Sequence, residues 1–210
     1  MNAEASRTSK KDWLTFDRVD YLGTKVILGI AAAGAILVGL GGPVIAAATK
    51  APLPVSYTTQ VTTGIEMPRG ATHDGYATVD LLLMNATTGE RLGQALPGLL
   101  IAAMTIAVAW LLFQLLRSTQ AGEPFTRENV RRINLTALIV GIGGTLAQVA
   151  QGFADNAIHT SGRLPDSSAA SPVFELSFTP LPLVAMLVIA LVGEVLRHGI
   201  ELRDDVAGLV

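Results

Sequence analysis

The chain has 210 residues, half of them hydrophobic, and 15% are charged, against roughly 25% in an ordinary soluble protein. With a mean hydropathy of +0.47, this excludes a disordered chain and a typical soluble globule. The net charge of −2 gives no basic excess for direct nucleic-acid binding, and the absence of cysteine excludes disulfide scaffolds, thiolate metal sites and cysteine nucleophiles.

Residues 1–25 read as a cytoplasmic head. Trp13, Phe16 and Asp20 fall on one helical face beside Lys10, Lys11 and Arg18. A short interfacial helix on an anionic leaflet and a plain flexible head both fit that pattern. Residues 26–48 form the first apolar run, with no charge. It is longer than the 7–15 or so residues of a signal-peptide core, so a retained span is expected despite the small residues Ala46, Ala47 and Ala48.

Residues 49–95 form an outer loop too long for a simple turn. Val55, Tyr57, Thr59, Val61, Thr63 and Ile65 alternate with smaller or polar residues, which predicts a strand. Ala77–Met84 is a second strand candidate, ended by the turn-prone Asn85–Gly89. A second span follows at 96–116, a cytoplasmic loop at 117–132 and a third span at 133–153. The outer loop 154–177 carries a third strand candidate, Phe174, Leu176 and Phe178 alternating with Glu175 and Ser177. The fourth span is 178–197 and the tail 198–210. About 20 apolar residues cross a bilayer core, and these runs meet that length.

The expected fold is a single-domain, all-α membrane protein. Four transmembrane helices carry a small extracytoplasmic β-sheet cap of about three strands. Eleven of the fifteen Lys and Arg residues fall in the head, the loop at 117–132 and the tail. By the positive-inside rule both termini face the cytoplasm of a bacterial cytoplasmic membrane.

Polar residues inside the spans are few. Gln148 and Gln151 lie one turn apart, and with Glu194 they are the candidate intramembrane polar pocket. Glu194 also precedes Arg197 and His198 at i+3 and i+4, which predicts an ion pair along one helix. Small residues recur four apart at Gly29/Ala33, Ala35/Gly39, Ala137/Gly141 and Gly143/Ala147. That spacing suits close helix packing, expected within one bundle rather than between copies, although a homo-oligomer stays open. His73-Asp74, Asp155 and His159 read as loop residues. No metalloprotease, nucleophile-elbow or phosphate-loop motif occurs. No catalytic residue, cofactor or metal is therefore expected, and the chain is not read as an enzyme.

Two stretches look built. In the cytoplasmic loop, Gly122 ends one helix, Pro124 stiffens the turn and Thr126 can cap the next helix. Asn129 stands at the fourth residue of that capping pattern. Phe125 can pack on Val130, and Glu128 can reach Arg131 and Arg132. In the tail, Leu202, Val206 and Leu209 fall at i, i+4 and i+7 beside Asp204 and Asp205, an amphipathic helix suited to a groove.

Gly122, Pro124, Phe125 and Asn129, together with Gly199, Leu202, Arg203, Asp204, Asp205 and the apolar terminus, make the chain resemble the DUF2975 family of bacterial membrane proteins. The resemblance implies a four-span protein and a small cytosolic helix-turn-helix regulator as partner. The first functional expectation is a non-enzymatic regulatory or interaction protein with the lipid bilayer and that regulator as partners. The alternative is a small oligomeric transporter or channel.

Overall fold

The computed structural model describes residues 18–60, 76–161 and 178–207. In chain order these form α1 (Arg18–Ile36), a π-helical turn (Leu37–Gly41), α2 (Gly42–Ala48), β1 (Leu53–Gln60), β2 (Tyr76–Leu83), α3 (Thr88–Gln120), α4 (Arg127–His159) and α5 (Leu181–Ala207). Among the described residues four segments are long and apolar enough to cross a membrane: Val19–Ala48, Thr88–Gln120, Arg127–Ile158 and Leu181–Arg203. Leu22, Ile27 and Ile30 on α1, and Leu187, Leu191 and Val195 on α5, are all 64–66% exposed. An apolar surface of that extent is stable only against lipid.

The helices are longer than the apolar runs that announce them. At 1.5 Å per residue α3 is roughly 50 Å long, against a hydrocarbon core of roughly 30 Å. Its extra turns start at a capping box: Thr87 accepts from the Glu90 N–H at 3.3 Å, and the Glu90 carboxylate accepts from the Thr87 N–H at 2.6 Å. Likewise α4 continues past Phe153, so Asp155 and His159 lie on a helix rather than in a loop.

The first span changes pitch around Pro43. A proline has no N–H and crowds the carbonyl four residues earlier, here that of Gly39. The chain answers with the π turn, in which the Gly42 N–H bonds to the Leu37 carbonyl. Gly39 is buried in that turn against α3. The span ends in a Schellman motif: Lys50 takes φ 51°, its N–H bonds to Ala47 O at 3.3 Å, and the Ala51 N–H bonds to Ala46 O at 3.0 Å. Arg91 of α3 then ties this end down, donating to the carbonyls of Ala46 (3.1 Å), Ala51 (2.7 Å) and Ala86 (3.3 Å).

Neighbours in sequence are neighbours in space: α1 packs on α3, α3 on α4 and α4 on α5. Glycine notches receive side chains from the facing helix. Gly141 lies under Met186, Gly143 under Met104 and Gly144 under Pro182. Lipid offers no hydrophobic drive between helices, so such close fits carry the association. Small residues of the third span, and Gly39 of the first, thus pack inside the molecule as expected, whereas the Gly29/Ala33 pair of the first span is exposed.

The strands β1 and β2 pair antiparallel with Val55 opposite Leu81 and Tyr57 opposite Val79. Val55 is buried where the ribbon leans on α4. The sheet among the described residues has two strands, not three; β1 covers Leu53–Gln60, and Val61, Thr63 and Ile65 of the expected strand lie outside the described residues. Phe178 is not in a strand; the rest of the third candidate, the head residues Trp13 and Phe16, and His73-Asp74 lie outside the described residues.

Candidate functional site

The turn between α3 and α4 is built by a short run of residues. Gly122 takes φ +82°, a conformation that costs glycine little, and closes α3 in a second Schellman motif. Its N–H bonds to Thr119 O at 3.1 Å and that of Glu123 bonds to Ser118 O at 3.2 Å. Pro124 follows, and Thr126 caps α4 by accepting from the Asn129 N–H at 3.2 Å.

Asn129 holds this turn together. It is 0% exposed. A capping-box role would send its side chain back to the Thr126 N–H; instead it points into the turn. Its Nδ2 donates to Ser118 Oγ at 2.9 Å, Pro124 O at 3.0 Å and Glu123 O at 3.1 Å. Two hydrogens serve three acceptors, so one is shared. Its Oδ1 accepts from Arg132 Nη1 at 2.9 Å. One amide thus bonds the end of α3, the turn and the start of α4. Only an amide fits, because the surroundings demand donors and an acceptor from one planar group.

The third helix of this end joins through Phe125. Its Cε1 lies 3.4 Å from where a Cβ on Gly199 would stand. The ring therefore lies against α5 at Gly199, at a distance where even a Cβ would make ordinary van der Waals contact. Phe125 thus reaches across to α5, a contact not expected from its staple position beside Val130. Val130 and Ile200 are both buried, and with Arg127, Arg197 and Glu201 they line a cavity of about 330 Å³. The loop residues Gly122, Pro124, Phe125 and Asn129 and the tail residue Gly199 therefore form one knot. Leu202 is exposed, as are Arg203 and Asp205. The Asp204 and Val206 side chains and all of Leu209 lie outside the described residues.

Charges around the knot pair locally. Glu194 accepts from Arg197 Nε at 2.9 Å and lies 3.4 Å from His198 Nδ1, and Arg197 also meets Glu201 at 3.3 Å. Glu128 lies 3.6 Å from Arg132 Nε. On α1, Lys25 donates to Gln120 of α3 at 2.7 Å, which places the start of the first span at this same end.

The polar residues of the spans separate into different places. Gln148 clamps the approach to α5: its Oε1 accepts from the Thr179 N–H at 2.7 Å and its Nε2 donates to Thr179 O at 3.3 Å. Gln151 donates to Asp155 at 2.9 Å, and Gln94 of α3 donates to the same carboxylate at 2.8 Å. Asp155 and Gln94 are the partners that sequence reasoning missed; the i, i+4 spacing of Gln151 and Asp155 is the signal that carries the pair. Glu194 is 15 residues beyond Thr179, roughly 22 Å along the helix. The three residues of the candidate polar pocket are thus not brought together. We expect Gln148→Leu to destabilise the bundle by about 1 kcal/mol, read as a lower unfolding midpoint in detergent. An unchanged midpoint would mean that the Thr179 clamp contributes nothing.

A family model described as a protein of unknown function, DUF2975, matches residues 71–208. The chain belongs to the DUF2975 family. The match covers β2 through α5, so it includes the whole knot, while β1 and the first span precede it. No curated protein and no solved structure matches the chain. In this DUF2975 protein the knot's polar groups are turned mainly toward one another. Among the described residues no group of three or more His, Asp or Glu stands close enough to hold a metal. What the arrangement supplies is position: it fixes where α5 leaves the bundle and which face of it is open.

Proposed function

We propose that this DUF2975 protein is a non-enzymatic regulatory or interaction protein of a bacterial cytoplasmic membrane, presenting the end of α5 to a cytosolic partner. The observation that carries the reading is the contrast between Ile200 and Leu202. Ile200 is 5% exposed and Leu202 is 66% exposed. Two residues turn a helix by about 200°, so one face of α5 is held in the bundle while the other is open. The helix keeps that orientation through Ala207.

Sidedness supports the same reading. Lys25, Arg117, Arg127, Arg131, Arg132, Arg197 and Arg203 stand at the knot end, against Lys50 and Arg91 at the strand end. Positive charge concentrates on cytoplasmic faces, so the knot and both termini face the cytoplasm. Leu202, Val206 and Leu209 recur at helical spacing beside Asp204 and Asp205. An apolar groove with a basic rim would match that strip, and the helix-turn-helix regulator that the family resemblance implies is the partner proposed to supply it. The transporter alternative has weaker support, because Gln148, Gln151 and Glu194 line no common path.

The test uses the full chain co-expressed with a helix-turn-helix protein encoded beside it. The wild type should co-purify with that protein, and Leu202→Glu should lower recovery at least about tenfold, as for a central contact. Leu202 lies at the end of the last candidate span, so an unchanged unfolding midpoint of the variant in detergent is required alongside. Equal recovery of both forms overturns the docking reading. An ATPase subunit in place of the regulator would favour transport.

A further inference from the structure

A second feature of the knot end is a cavity of about 490 Å³ between α3 and α4. Its wall is graded along α3. Trp110 and Phe113 lie at one end and Arg117 at the other, with Arg132 of α4 also lining it. Trp110 to Arg117 spans roughly 10 Å of helix rise. Apolar and aromatic surface thus gives way to two guanidinium groups over about the depth at which a phospholipid changes from acyl chain to headgroup.

The basic end holds one of its two guanidinium groups in a fixed pose. Arg132 Nε is buried and has no hydrogen-bond partner. The Glu128 carboxylate at 3.6 Å is an ion-pair neighbour, too distant for a hydrogen bond. Meanwhile Arg132 Nη1 is fixed by Asn129 Oδ1. The guanidinium is therefore held in place by Asn129 and Glu128, with Arg132 and Arg117 both lining the cavity. Lys25 adds a third cation close by, its Nζ 5.8 Å from the centre of the Phe113 ring. Glu128 is the acidic group facing Arg132, so the balance of these four charges is positive.

We propose that this cavity binds the phosphate of an acidic phospholipid, with Arg117 and Arg132 on the phosphate and Trp110 and Phe113 along the chain. Guanidinium groups match phosphate oxygens in geometry and charge. The aromatic wall distinguishes a lipid from free phosphate, which has nothing to place there. Because Arg132 also bonds Asn129, the lipid would bear directly on the knot. The proposal stands independently of any protein partner.

Trp110 is a built-in reporter once Trp13→Phe removes the other tryptophan. The full chain is placed in nanodiscs of zwitterionic phosphatidylcholine, and brominated phosphatidylglycerol or brominated phosphatidylcholine is titrated in. Brominated phosphatidylglycerol should quench Trp110 at a several-fold lower mole fraction. Arg117→Gln and Arg132→Gln should each reduce that preference by about tenfold, the net worth of a hydrogen bond to a charged group. The Arg117 side chain makes no bond to the turn, so its variant reports on binding even if Arg132→Gln loosens the knot. Arg131→Gln, outside the cavity, should leave the preference unchanged. Equal quenching by both lipids, or a preference that survives Arg117→Gln, overturns the proposal. Loss of the preference on adding inorganic phosphate at constant ionic strength overturns it too, in favour of a free-phosphate site.

Discussion

Asn129→Ala should lower the stability of the protein by about 2–3 kcal/mol, read from its unfolding midpoint in mild detergent. The side chain is fully buried and makes four hydrogen bonds of its own. Its removal leaves Pro124 O without its amide partner and Arg132 without the acceptor that fixes it. A buried orphan costs more than the net worth of the bond that it loses. Asn129→Asp is the informative companion. It keeps an acceptor for Arg132 but aims a carboxylate at the Glu123 and Pro124 carbonyls. It should therefore be no more stable than Asn129→Ala. Ser118→Ala should be milder, about 1 kcal/mol, because Asn129 keeps its other bonds. A midpoint for Asn129→Ala within about 0.5 kcal/mol of wild type would mean that the amide does not hold the turn.

Gly39→Leu should be at least as damaging, by about 3 kcal/mol, and should separate the first span from α3. A Cβ at Gly39 would overlap Ala102 Cβ and stand 3.0 Å from Gly98 O. Neither atom can swing aside, as the end of a long side chain could. The π turn and α1 would have to move as a unit. Gly29→Leu is the matched control on the same span. With nothing within 4 Å of its Cβ position, it should stay within about 0.5 kcal/mol of wild type. Equal damage from both substitutions would contradict the packing described for the π turn.

The spans are legible in the sequence because charge is absent from them. Lipid tolerates almost no ionised side chain, and that constraint acts on every residue of a run. The lengths are harder to read. Thr87 and Glu90 spell a capping box, yet they sit among turn-prone residues, and Pro97 suggests a break a few turns later. α3 nevertheless runs through Pro97. The π turn is masked in Gly41-Gly42-Pro43, because apolar content hides a change in pitch. In the knot, Gly122, Pro124 and Thr126 act much as local turn chemistry dictates. Asn129 does not, and Phe125 gains a contact at Gly199 beyond its local one, because these partners are set by tertiary contacts. Local rules reach only as far as Val130, whereas Gly199 belongs to a helix far along the chain. Gln148 and Gln151 stand near the start of α5 and Glu194 well along it, a separation that the alternation of the spans already implies for residues late in the third and fourth runs.

The central claim is that the loop block and the tail block of this DUF2975 protein meet and fix the exit of α5. The chain has no cysteine, so an introduced pair is unique. Phe125→Cys with Gly199→Cys, treated in native membranes with a short thiol-specific cross-linker, tests the contact directly. Gln148→Cys with Thr179→Cys serves as the positive control at the other end of α5. The account expects both pairs to cross-link within one chain, and Asn129→Ala to weaken the first pair while sparing the second. Cross-linking of the control pair alone would contradict it.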